Sequence, residues 1–213
     1  MKKPLLTFFA LALAIVGRSQ SNDATSLGSE ISSNEASLWT DNYKKAYGNE
    51  QRICFGKEIV NKFLSTNGLE SVYIFRGLDE FDKEVLILKA ANNEGELIPN
   101  SASIYSNRKE VKKELSSVGS FINDELADKM ISKFQMTFKN RVPIYLFGKK
   151  GFEIVLQQYG AKGIHFVNGL DQKEQEHLIF IGADKNGMLM TEGTIWNHGS
   201  GIFSIIKRFF AKK

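Results

Sequence analysis

The side chains able to do chemistry are few, and most lie late in the chain. His165, His177 and His198 are its only histidines. His165 and His177 fall in IHFV and HLIFI, two strand-like runs that read as neighbours across a hairpin. Asp171, Glu174 and Glu176 lie close by, so His165, His177 and Glu176 form the candidate metal site, an imidazole–carboxylate set of the kind zinc takes. The spacing matches no helical ligand motif, however, and two strand histidines read equally as packing residues. Lys57 and Lys149 each follow Phe-Gly at a helix start. Free amides and an ammonium there make a candidate anion site, although no glycine-rich loop surrounds them and lysines facing water fit as well.

No serine sits in a GxSxG elbow, and neither HExxH nor CxxC occurs. Cys54 is the only cysteine, so the chain has no internal disulfide and must hold together by its core. A buried small hydrophobe is the expected role. A catalytic thiol would want a base nearby, and the repeat that carries Cys54 has no histidine. Acids recur in two loops, Asp79, Asp82 and Glu84, then Asp171, Glu174 and Glu176. A calcium loop would need more oxygen ligands and a central shaping glycine. Turns in which Asp79 and Asp171 accept backbone amides are expected instead. No cofactor is implied.

These residues are held in a repeated frame. The stretch 55–98 slides onto 147–190 without a gap. Identities include Phe55/Phe147, Gly56/Gly148, Gly68/Gly160, Gly77/Gly169, Asp79/Asp171, Glu84/Glu176 and Gly95/Gly187. The match reaches back at a spacing one residue shorter, Tyr43 and Tyr47 meeting Phe134 and Phe138. The chain reads as an internal duplication. Each copy predicts an α-α-β-β-β order. The first helix starts at a Ser32-x-x-Glu35 capping box, and Asn123 or Asp124 caps its counterpart. The second helices are expected at about 56–66 and 148–159. Strands are expected at 71–76 with 84–91 and at 163–168 with 176–183, and short third strands near 96–98 and 188–191. These strands are apolar on both faces, so both faces must be covered. The fold class expected is α+β, two tandem repeats forming an intramolecular pseudo-dimer with helices outside.

The organisation follows: a signal peptide at 1–21, a flexible lead-in at 22–31, repeat 1 at 32–98, a connector at 99–118, repeat 2 at 119–190 and a C-terminal extension at 191–213. Lys2 and Lys3 precede an apolar run from Pro4 to Val16, and Ser19 and Ser21 suit cleavage after Ser21. The protein is therefore expected to be secreted or periplasmic. The 213-residue chain has 28 basic and 24 acidic residues. Cleavage removes Lys2, Lys3 and Arg18, leaving 25 against 24, a formal charge of +1. That balance argues against nucleic acid as a partner.

The extension ends in GIFSIIKRFFAKK. Ile202, Phe203, Ile206, Phe209 and Phe210, with Lys207 and Arg208, make it amphipathic and basic. It reads either as a helix closing the core or as one lying on an anionic membrane or a partner.

An amphipathic helix followed by GIHFVNGLD and HLIFIGADKNG resembles a group of secreted bacterial proteins with a tandem strand-turn-strand signature. The resemblance covers 55–98 and 147–190. It implies export and a similar fold, and no activity is assigned to that group. The leading expectation is an exported non-enzymatic protein that binds a protein or cell-surface ligand. The alternatives are a hydrolytic or metal-assisted enzyme near His165 and His177, and a membrane-surface effector acting through the tail.

Overall fold

The computed structural model describes residues 27–48, 52–107, 114–139, 141–142 and 144–197. The signal segment, His198, the charged stretch 108–113 and the amphipathic tail lie outside the described residues. Among the described residues the fold is mixed α+β, with two antiparallel sheets and four helices.

In chain order the elements are β1 (Ser29–Ile31), α1 (Ser33–Tyr47), β2 (Arg52–Gly56), α2 (Lys57–Leu64), β3 (Ser71–Leu78), β4 (Glu84–Ala91) and β5 (Ser103–Ser106). A short 3-10 turn, Leu115–Ser117, follows. Then come β6 (Ser120–Ile122), α3 (Asp124–Thr137), β7 (Ile144–Gly148), α4 (Lys149–Gln157), β8 (Gly163–Leu170), β9 (Glu176–Ala183) and β10 (Ile195–Asn197).

Local chemistry explains the boundaries. The Ser32 hydroxyl accepts from the Glu35 amide at 3.2 Å, and the Glu35 carboxylate accepts from the Ser32 amide at 3.1 Å. Asn123 caps α3 by accepting from the Leu126 amide at 2.9 Å. Asp79 accepts from the Phe81 and Lys83 amides, closing the β3–β4 hairpin. Asp171 accepts from Lys173 and Gln175 in the same way.

The first sheet runs β1-β10-β9-β8-β2 and the second β6-β5-β4-β3-β7. Each sheet thus combines two strands from one half of the chain with three from the other. Strand β2 pairs with β8, and β7 pairs with β3.

The two sheets enclose one apolar layer. Phe55, Ile164, Phe166, Leu178 and Phe180 meet Val72, Ile74, Leu88, Tyr145 and Phe147 there. Phe180 stands 5.0 Å from Phe147 and 4.9 Å from Phe152, ring centre to ring centre. Helices α2 and α4 join this layer through Val60, Phe63, Leu64, Phe152, Val155 and Leu156. The outer faces are covered too. Ala36 and Trp39 of α1 pack on Val167, Ile179 and Ile181. Ala127, Met130 and Ile131 of α3 pack on Phe75, Val85 and Ile87. Burial on both faces is why the strands do not alternate.

The structure departs from the α-α-β-β-β reading. Strands β1, β2, β6 and β7 precede or separate the helices. The segments expected as third strands make only isolated bridges, Ala91 to Leu97 and Ala183 to Leu189. The third strands are β5, inside the stretch read as connector, and β10, inside the C-terminal extension. Strands β2 and β7 were hidden because each runs straight into a helix, with Gly56 or Gly148 as the N-cap. Glycine is required at 56 for a local reason: a Cβ there would collide with the Ser116 carbonyl.

Candidate functional site

The hairpin register decides the fate of the histidine pair. His165 lies opposite Ile181, and His177 lies opposite Gly169. The two histidines share a face but stand four pairs apart, about 13 Å by strand rise. One ion cannot bridge them. Among the described residues no three His, Cys, Asp or Glu side chains group around a metal-sized position.

His165 is buried, and its neighbour on the other side is Cys54, directly opposite on β2. Leu115 and Ala183 pack around Cys54. His177 is placed by α1 and the hairpin turn. Its ring stacks on Trp39 at 4.4 Å, and Nε2 lies 3.1 Å from Asp171 Oδ2. Burial alone would raise the Asp171 carboxyl. Hydrogen bonds from Gln175, His177 and Lys173 outweigh it and hold the group below the usual range.

Glu176 belongs to a different cluster. Arg76, fully buried on β3, donates to Glu84 at 2.7 Å, to the Tyr145 hydroxyl at 2.8 Å and to Asn168. Its guanidinium lies 3.7 Å from Glu176. Arg141 meets Glu84 at 3.1 Å and Glu176 at 4.0 Å, and donates to Tyr43 at 2.9 Å. Two guanidinium groups thus face two carboxylates, tying together α1, β3, β4, β7, β8 and β9. Burial alone would lower the Arg76 pKa, but Tyr145, Glu84 and Glu176 drive it above its ordinary value. Burial pushes the Tyr145 phenol up to about 12. The two cations and two anions balance in charge, so the cluster reads as a clamp, with Arg76 Nε and Glu176 Oε2 left without a hydrogen bond among the described residues.

The anion reading of Lys57 and Lys149 meets occupied donors. The Lys57 amide donates to Lys162 O at 2.8 Å, and the Lys149 amide to Glu70 O at 3.0 Å. The Lys57 ammonium caps α4 by donating to Leu156 O at 2.6 Å. That of Lys149 stands 4.0 Å from Glu153. The tail residues Ile202, Phe203, Ile206, Lys207, Arg208, Phe209 and Phe210 lie outside the described residues.

A surface groove of about 700 Å³ was not foreseen. It opens between the β3–β4 hairpin, the end of β5 and one face of α3. Leu78, Phe81, Tyr105, Leu126 and Met130 supply its apolar lining. Phe81 is 71% exposed at the rim. Lys83, Lys129 and Lys133 supply cations, and Asp79 and Glu80 are the acids. Lys133 is held by the Asp79 carbonyl and by Asp82, each at 2.7 Å. The Lys83 ammonium lies over the Phe81 ring at 5.9 Å. Among the described residues neither Lys83 nor Lys129 makes an ion pair. The visible sequence signal was Phe81, a large aromatic at a hairpin tip. The lysines of α3 are surface residues by pattern, and only the fold brings them beside it. No family model, curated protein or solved structure matches the chain.

Proposed function

We propose that this is an exported, non-enzymatic binding protein built as an intramolecular pseudo-dimer, with the groove beside α3 as its binding surface. The carrying observation is the groove itself. Its size suits a small ligand, since such pockets span roughly 300–1,000 Å³. An exposed aromatic lines it together with two ammonium groups that make no ion pair among the described residues.

Strand order supports the pseudo-dimer: β1, β10, β9, β8 and β2 correspond in turn to β6, β5, β4, β3 and β7. Both central hairpins pair over eight positions. In this reading the halves have exchanged their leading β-α-β segments.

The correspondence also shows how the groove side differs from its counterpart. Met130 and Val85 border α3 and the second sheet, and their counterparts are Trp39 and His177. A Cβ at Gly77 would meet Met130, and one at Gly169 would meet Trp39, so the two helices sit alike on their sheets. In this reading the stacked Trp39–His177 pair stands where the other copy has Met130, which lines the groove, and the smaller Val85. Lys83, Lys129 and Lys133 face the groove where the other copy has Gln175, Leu38 and Asn42.

A thermal-shift survey of chemically diverse small molecules tests the reading. Ligands that stabilise the protein should lose their effect in Met130→Trp, which copies the Trp39 side. Stabilisation indifferent to that change, or no stabilising ligand of any class, contradicts it.

A further inference from the structure

We infer that the groove takes an anionic amphiphile: a carboxylate or phosphate headgroup at Lys83 and Lys129, and an aliphatic chain along Phe81, Leu126 and Met130. This rests on the binding reading above and names the ligand class.

The cations of the groove differ in whether they are already paired. Lys133 is engaged by Asp82 and the Asp79 carbonyl. The Asp79 carboxylate accepts from the Phe81 and Lys83 amides and from Asn107 at 3.3 Å. That leaves Lys83 and Lys129 facing the groove as cations with no ion pair among the described residues, against Glu80 and the Asp79 carboxylate, whose hydrogen-bond donors are neutral and whose charge is felt by Lys83. An anionic headgroup gains most from ammonium groups that line a groove beside a desolvating apolar wall.

The apolar argument is independent of charge. Phe81 is 71% and Leu126 41% exposed, on either side of a concave surface. Large apolar side chains left on a groove mark a binding surface. An ordinary core role does not explain Phe81, because the hairpin turn is closed by Asp79 without it. The chain's own tail is a poor occupant. Lys207, Arg208, Lys212 and Lys213 carry the same sign as the free lysines.

The test uses the mature chain and calorimetric titration below the micelle threshold. The probes are dodecanoate, dodecyl phosphate, dodecanol, acetate and inorganic phosphate. Dodecanoate and dodecyl phosphate are expected to bind about tenfold or more tightly than dodecanol, with acetate and phosphate undetected. The Lys83→Gln, Lys129→Gln double variant should lose about tenfold for the anionic probes, while dodecanol binding and Tm stay unchanged. Equal affinity for dodecanol, or an unchanged double variant, overturns the inference. A peptide of alternating acidic and apolar residues competing better than dodecanoate overturns it too. Co-sedimentation with phosphatidylglycerol vesicles but not phosphatidylcholine, lost in the double variant, assigns the headgroup to a lipid. Binding of dispersed dodecanoate alone assigns it to a free acid, and both outcomes support the class. If other ligands bind in a Met130→Trp-sensitive way and anionic amphiphiles do not, the ligand class falls and the binding reading stands.

Discussion

Cys54 and His165 lie directly opposite each other on antiparallel strands, although 111 residues of chain separate them. Within its own half Cys54 has no histidine to meet. The pairing of β2 with β8 supplies one. In the second sheet the matching positions are Leu146 and Tyr73, again opposite each other. Both pairs join a strand from one half of the chain to a strand from the other.

The buried charge cluster should be sensitive to losing one member. Arg76→Met removes the cation that Glu84 and Glu176 share and leaves buried carboxylates undercompensated. Urea unfolding should show a loss of about 3–5 kcal/mol. A loss below about 1 kcal/mol would mean that water reaches the cluster and the clamp is not dry.

Acid should weaken the protein through its hairpin turns. Burial would raise the Asp79 carboxyl, but hydrogen bonds from Lys83, Asn107 and Phe81 outweigh that and hold it below the usual 3.8, as happens at Asp171. A folded pKa below the unfolded one contributes stability that is complete above the unfolded value and lost as pH falls through the folded value. Stability should therefore decline below about pH 4. Asp79→Asn with Asp171→Asn should flatten that decline, because an amide oxygen still accepts the turn amides without titrating. An acid limb of unchanged slope would assign the decline to other groups.

The termini carry a separate expectation. Mature protein should begin at Asn22. Deleting 202–213 separates the two readings of the tail: lost thermal stability with unchanged liposome binding places it on the core, and the reverse places it on a membrane. Among the described residues no helix is long and apolar enough to cross a bilayer.

Much of the frame could be read from residue pattern. The hairpins β3–β4 and β8–β9 follow from aromatic and β-branched runs bounded by glycine and aspartate turns. Helix α1 follows from its capping box. Strand partners could not be read, because the same edges of β3 and β8 could accept β2 or β7 from either half. Pairing between distant segments is a global outcome that local propensity does not encode. Arg76 is a charged residue within the apolar strand β3. Its burial depends on Tyr145, Asn168 and Glu176, each far along the chain. The two histidines stand four pairs apart for a related reason: a hairpin brings two segments together, but its register alone decides which residues meet. The groove was illegible because three elements form it, and its lysines are unremarkable on each.

A single cross-link reports whether strands are exchanged between the halves. Opposed residues on antiparallel strands have Cα atoms about 4.5–5.5 Å apart, within disulfide range. His165→Cys and Tyr73→Cys each place a second thiol opposite a candidate partner for the natural Cys54. With β2 paired to β8, mild oxidation should cross-link the His165→Cys variant within one chain and leave two free thiols in Tyr73→Cys. Cross-linking of Tyr73→Cys with free thiols in His165→Cys would show that β2 pairs inside its own half, and the exchanged architecture would be wrong.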